Sequence, residues 1–208
     1  MLLIGLTGPS GAGKGLFCHV MRERYGIRSI DADEVYHTLI TPPSPCLDAL
    51  TEAFGREILS ESGALDRKAL AGIVFSPEDG AERERRISLL NSVTHRFVLE
   101  RTRELLRAAE EGGASAMILD APALYESGAD AWCDLIVAVT ADRDTRVDRI
   151  TERDHITRDA ASLRVRGQHP DAFYERRATA ILHNDGSPRE FEAAVTAFYG
   201  AHVLPRLG

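Results

Sequence analysis

The chain has 208 residues, 44% of them hydrophobic and 27% charged, the balance of one globular domain with a sizeable core rather than of a disordered or fibrous chain. Thirty-two acids against 25 basic residues give a net charge of −7, which argues against a general attraction to nucleic acid or to an anionic membrane surface, so any phosphate site has to be local. Three cysteines (Cys18, Cys46, Cys133) without C-x-x-C spacing suggest neither a disulfide framework nor a zinc site, and no basic leader or long apolar span is present, so a reduced, cytoplasmic setting with no membrane partner is expected.

The first predicted strand is LLIGLT, residues 2–7, and it runs into GPSGAGKG, residues 8–15. Gly8, Gly13 and Lys14 fall on the phosphate-loop pattern G-x-x-x-x-G-K-[ST], and the amphipathic stretch that follows, closed by Gly26, predicts a helix. Strand, glycine-rich loop and helix together give the motif its chemistry. Backbone N–H groups turn inward around phosphate oxygens, the helix start adds partial positive charge, and Lys14 reaches the outer phosphates. The predicted nucleotide-binding set here is Gly8, Gly11, Ala12, Gly13, Lys14, Gly15 and Leu16. Lys14 is one of two lysines in the chain, so it is not accidental background. Gly15 stands where a serine or threonine touches Mg²⁺, and Leu16 supplies no hydroxyl either. The cation is therefore expected to depend on ATP phosphates, waters and carboxylates at strand ends.

The second predicted strand, IRSID (27–31), leads into DADEVYH (31–37). If a helix starts near Asp33, then Asp33, Tyr36 and His37 share one face. A carboxylate there can orient a hydroxyl nucleophile and accept its proton, or it can cap the helix. Asp31 can equally brace the loop. The gap to the third strand is longer than one crossover needs, so residues 33–113 are expected to form a helical insertion. TPPSP (41–45) breaks its first helix, and a long helix from Glu78 ends at Gly112 and Gly113. The charged run ERERR (82–86) reads as a solvated face.

The third strand, AMILDA (116–121), ends in Asp120, placed like a Walker B carboxylate and so an outer-shell metal partner. DLIVAVT (134–140) and AILHN (180–184) complete a five-stranded parallel sheet covered by helices on both faces. Between them, residues 143–177 hold nine arginines against seven acids. Arg146, Arg149 and Arg153 share a helical face and suit a lid that neutralises phosphate charge, although alternating acids also allow surface ion pairs.

GLTGPSGAGKG, DADEVYH, GALDRKALAGIVF, LNSVTHRFV, LDAPALYESG, RITERD, RVRGQ and HNDGS follow, in order and spacing over nearly the whole chain, the pattern of dephospho-CoA kinases. The resemblance implies a P-loop kinase fold with core 1–32, 114–142 and 178–208, an acceptor-binding insertion 33–113 and a lid 143–177. It implies transfer of the γ-phosphate of ATP to the 3′-hydroxyl of dephospho-CoA, with Mg²⁺. Asp33 matches the family's base, Lys14 its phosphate-binding lysine, and Arg149 and Arg153 its lid arginines. Asn184 and Gly186 match a loop near the adenine of ATP, and Asp31, Asp33, His37, His95 and Asp120 are the expected acceptor-side residues. Gly15 and Leu16 stand where the family usually has Ser-Thr, Arg96 where a proline usually follows the histidine, Ala123 replaces a leucine and Thr179 an aspartate.

Overall fold

A computed structural model of the chain describes residues 1–207. Its backbone divides into two compact units, Met1–Asp31 with the chain from Ala108 on, and Ala32–Arg107.

In the first unit five strands form one sheet: β1 (Leu2–Thr7), β2 (Arg28–Asp31), β3 (Ala116–Asp120), β4 (Leu135–Thr140) and β5 (Ala180–His183). Their spatial order is β2-β3-β1-β4-β5, and every pairing is parallel. The predicted apolar runs therefore became strands to within a residue or two. β1 lies at the centre, where continuous Ile, Leu and Val are needed because both faces are covered. Its side chains alternate: Ile4 and Leu6 enter a core with Phe17, Val20, Met21, Ile118, Val137, Val139, Phe191, Val195 and Phe198. The helices that supply this core are α1 (Lys14–Tyr25) and α9 (Pro188–Phe198), the last of the nine α-helices among the described residues. On the opposite face Gly5 is a close approach, since a Cβ there would sit 2.8 Å from Cys133 Sγ and 2.9 Å from a Leu124 methyl.

The second unit has its own core. α2 (Ala32–Leu39) stops ahead of a cis Pro42–Pro43 bond, and α3 (Pro45–Phe54) starts on Ser44, whose hydroxyl accepts from the Cys46 and Leu47 N–H groups. α4 (Arg67–Phe75) is capped in the same way by Asp66. Ile40, Cys46, Leu50, Phe54, Ile58, Leu70 and Val74 pack together, flanked by Ile87, Leu90, Val93 and Phe97 from α5 (Gly80–Glu111). ERERR lies on α5, where Arg85 and Arg86 both pair with Glu82, as a solvated face would.

After β4 come α6 (Arg143–Asp154), α7 (Arg158–Arg166) and α8 (Asp171–Glu175). α6 and α7 share a small apolar cluster of Val147, Ile150, Ala161 and Val165, and His155 takes the left-handed turn between them. Arg153 and Arg164 both pair with Asp154, and Arg158 pairs with Asp148.

Candidate active site

The loop Gly8–Gly13 joins the carboxyl end of the central strand to α1 and takes positive φ at Gly8 (130°), Gly11 (80°) and Gly13 (104°). These three glycines are required twice over, by conformation and by space. A Cβ at Gly8 would lie 2.1 Å from the Val139 carbonyl oxygen, one at Gly11 2.8 Å from that of Arg146, and one at Gly13 2.1 Å from Asn184 Nδ2.

Side chains from α6 and from beyond β5 bind the loop's carbonyl oxygens. Arg146 Nε donates to Ser10 O at 3.1 Å, Arg149 to Gly11 O at 3.3 Å and Ala12 O at 3.5 Å, and Asn184 Nδ2 to Ala12 O at 2.7 Å. In a planar trans peptide the N–H points opposite to the carbonyl. Holding the oxygens of Ser10, Gly11 and Ala12 therefore turns the N–H groups of Gly11, Ala12 and Gly13 the other way. Ala12 N–H closes on Pro9 O, while those of Gly11 and Gly13 line the cradle. At the start of α1 the N–H groups of Lys14 and Gly15 have no helical carbonyl behind them, no side chain caps the end, and no acid stands in the first turn. Lys14 Nζ reaches back across the loop to Gly8 O at 3.0 Å, which places its charge over the same cradle. This is an arrangement suited to a polyphosphate.

Asp31 and Asp120 end neighbouring strands as register partners. Cys18, one turn after Lys14, lies 3.9 Å from Asp120 Oδ2. Its thiol is pushed up from the ordinary 9.0 to about 12, by burial first and then by the negative charge of Asp120, with Asp31 adding to this and Lys14 opposing it. The two carboxylates and the ammonium thus act on one point. No cluster of three or more His, Cys, Asp or Glu able to cage a cation occurs among the described residues. Carboxylates at the strand ends, completed by phosphate oxygens and waters, fit a hard, water-retaining divalent ion better than an all-protein site would.

Burial also drives the Cys133 thiol to about 12. Between pH 9 and 12 the unfolded chain would lose protons that the folded chain keeps on both thiols. Their stabilising effect is complete below pH 9 and is lost as the pH rises toward 12. The midpoint of thermal unfolding is accordingly expected to fall steadily from pH 9 to pH 11; an unchanged midpoint would show that these thiols are not shielded.

Gly15, exposed on α1, has no positive φ, and a Cβ there would meet nothing within 4 Å. Gly15→Ser should fold normally and bind ATP at least as well as wild type, with the same or a lower cation concentration for half-maximal rate. Loss of ATP binding in that variant would mean that a bound phosphate approaches residue 15 too closely for any side chain.

The other sequence-derived residues are placed as follows. Arg153 donates to Ser10 Oγ at 3.3 Å, so all three arginines of the predicted face turn to the loop. Asn184 is buried beneath the loop. Gly186 has a local reason: a Cβ there would strike Glu190, the carboxylate of the capping box that starts α9. In the second unit, Asp33 is exposed in the first turn of α2. His37, one turn later, has its Nδ1 2.6 Å from an Arg67 nitrogen. His95 is half-buried on α5. Sequence reasoning missed Ser10, Cys18, Arg67 and Gln168. Ser10, Arg67 and Gln168 lie inside GPSGAGKG, GALDRKALAGIVF and RVRGQ but at positions to which those patterns assign no role, and no motif marks Cys18.

The dephospho-CoA kinase family model matches residues 2–190. A dephospho-CoA kinase of Geobacter metallireducens is 37% identical over 203 residues, covering 98% of each chain. One from Corynebacterium glutamicum is 34% identical over 207 residues and covers both chains completely. Among solved structures, one from Thermus thermophilus superposes with a TM-score of 0.79 at 29% identity, covering 97% of this chain and 98% of that one. A shikimate kinase from Acinetobacter baumannii, at 15% identity and a TM-score of 0.52 over 98% of this chain and 96% of that one, shares the fold. With its whole length aligned to such relatives and its phosphate loop, strand-end aspartates and loop-facing arginines in place, the chain belongs to the dephospho-CoA kinase family.

Proposed function

We propose that this chain phosphorylates the 3′-hydroxyl of dephospho-CoA with ATP, using Lys14, Asp33 and Arg149 as the residues that meet the reacting groups. The observation that carries the reading is the orientation of the loop, whose carbonyl oxygens are bound by Arg146, Arg149 and Asn184 so that the N–H groups of Gly11 and Gly13 turn into a cradle suited to a polyphosphate. In the reaction the acceptor oxygen attacks the γ-phosphorus, the bond to the β,γ-bridging oxygen breaks, and ADP leaves. The hydroxyl proton passes to the carboxylate of Asp33. Gly8, Gly11, Ala12, Gly13, Gly15 and Leu16 form the loop around the phosphates, and Lys14 follows their charge. Arg149 and Arg153, which already lie at the loop, extend their remaining N–H donors to the phosphates as the segment 143–177 closes, while Arg146 and Asn184 keep the loop's oxygens. Asn184 and Gly186 border the nucleotide, and Asp31, His37, His95 and Asp120 serve the acceptor side.

The divalent cation that such an ATP-dependent reaction needs is proposed to be Mg²⁺, which neutralises phosphate charge when bound and would be held through water by Asp120. Among the described residues no helix is long and apolar enough to cross a membrane, and a cytoplasmic location suits the three free thiols.

Initial rates with dephospho-CoA, AMP and free adenosine as acceptors test the substrate. Dephospho-CoA should exceed the others by at least about 10²-fold in kcat/KM, since the acceptor's remote parts contribute binding energy to the transition state. Equal rates with AMP would assign the chain to nucleotide phosphorylation instead.

Arg149→Ala and Arg153→Ala should each lower kcat by roughly 10- to 100-fold, the worth of one charge-assisted hydrogen bond, with little change in the acceptor KM. A raised KM at unchanged kcat would make these arginines ground-state contacts.

A further inference from the structure

Both backbone polar groups of Ser10 are held by the segment between β4 and β5. The carbonyl accepts from Arg146 Nε at 3.1 Å, the N–H donates to Gln168 Oε1 at 3.2 Å, and that same oxygen accepts from the Arg146 guanidinium at 2.5 Å. Gln168 follows α7 in a turn in which its own N–H donates to Val165 O. Its two neighbours are both donors, so only the amide oxygen can face them, and the side-chain orientation is fixed. Arg146 is 5% exposed, and a Cβ on Gly11 would press against its carbonyl oxygen and Cα. α6 and the loop are thus in direct contact here, with Gln168 as the one acceptor shared between them. Without that oxygen the Ser10 N–H would lack its partner and the buried guanidinium would keep only its bond to the Ser10 carbonyl, so the peptide before Ser10 could rotate.

We infer that Gln168 is a positioning residue for ATP binding: its side-chain oxygen, set by Arg146, fixes the backbone of Ser10 and thereby keeps the N–H groups of Gly11 and Gly13 turned into the phosphate cradle. Gln168 acts through the loop and touches no substrate. A group that only shapes the loop acts alike on the bound and the reacting states, so its loss lowers affinity and spares kcat. The inference rests on the reading that this loop binds ATP, and wild-type ATP binding, measured first, tests that reading separately.

The experiment compares wild type, Gln168→Leu and Gln168→Glu by ATP titration, by steady-state kinetics with dephospho-CoA, and by thermal unfolding. Leucine keeps most of the volume and removes the acceptor, whereas glutamate keeps an acceptor oxygen in place. Gln168→Leu should raise the Kd for ATP by about tenfold or more, with kcat at saturating ATP within about threefold of wild type. Gln168→Glu should return the Kd to within about threefold. A leucine variant with wild-type affinity, a fall in kcat at unchanged Kd, or a glutamate variant as weak as leucine would each overturn the inference. Amide exchange in the wild type gives an independent readout should the leucine variant fail to fold. The Ser10 N–H, bonded to Gln168, should exchange at least about tenfold more slowly than an open loop amide, and fast exchange there would also overturn the inference.

Discussion

Lys14→Ala is expected to lower kcat/KM for ATP by about 10²-fold or more while leaving the protein folded. Lys14 is the one cation in the sequence of the loop, and its ammonium lies over the cradle, bonded to the Gly8 carbonyl. A charge-assisted bond to phosphate contributes roughly 1.5–3 kcal/mol, and each 1.36 kcal/mol is a factor of ten in rate. The loss grows as charge moves onto the leaving oxygen, so kcat should fall together with affinity. Folding should survive because the glycines and the clasp of Arg146, Arg149 and Asn184 hold the loop without the lysine. Thermal unfolding near the wild-type midpoint, combined with the kinetic loss, would confirm this separation. Kinetics within threefold of wild type would remove the loop from the reaction. Lys14→Arg should recover only part of the loss, since a planar fork does not occupy the place of a compact ammonium.

Asp33→Asn is expected to lower kcat by roughly 10²- to 10⁴-fold with the Kd for ATP unchanged, because the amide keeps the shape of the side chain and loses its basicity. Asp33 lies in the first turn of α2, two residues along the chain from the end of β2. A carboxylate at that helical position also interacts favourably with the helix dipole, worth about 0.3–1 kcal/mol at an exposed site. The two roles give opposite patterns. A helix-stabilising residue would shift the unfolding midpoint and spare turnover, whereas a base would spare the midpoint and lose turnover. Stopped-flow or coupled-assay rates, measured beside unfolding curves for the same variant, separate them.

The strands were legible because buried parallel strands read as unbroken runs such as LIVAVT, and the loop because strand, glycines and lysine occur in fixed order. The order of the strands was not legible: β1 pairs with β3 and β4, across more than a hundred residues of chain, and no local pattern encodes that pairing. Arg146, Arg149 and Arg153 were readable as one face from their three- and four-residue spacing. Their partners were not, since these are backbone oxygens of the loop and the Ser10 hydroxyl, at positions that the phosphate-loop pattern leaves open. The same holds for Gln168 and Ser10, which meet 158 residues apart. The spacing of the cysteines spoke only against a disulfide framework and a zinc site, whereas the structure adds that Cys18 is held neutral by burial beside the strand-end aspartates. Gly186, expected near the nucleotide, also has a local need that the sequence did not show, room for the capping-box Glu190 of α9.

The fate of the γ-phosphate bears most directly on the central claim, that the Lys14 loop and Asp33 deliver it to the 3′-hydroxyl of dephospho-CoA. ATP labelled at the γ-position is incubated with the chain, Mg²⁺ and dephospho-CoA, and the products are separated and located by mass spectrometry. The expected result is label in the 3′-phosphate of coenzyme A, one ADP formed per labelled product, and neither product with Lys14→Ala. Label released as inorganic phosphate while dephospho-CoA stays intact, or label on any other position of the acceptor, would contradict the claim.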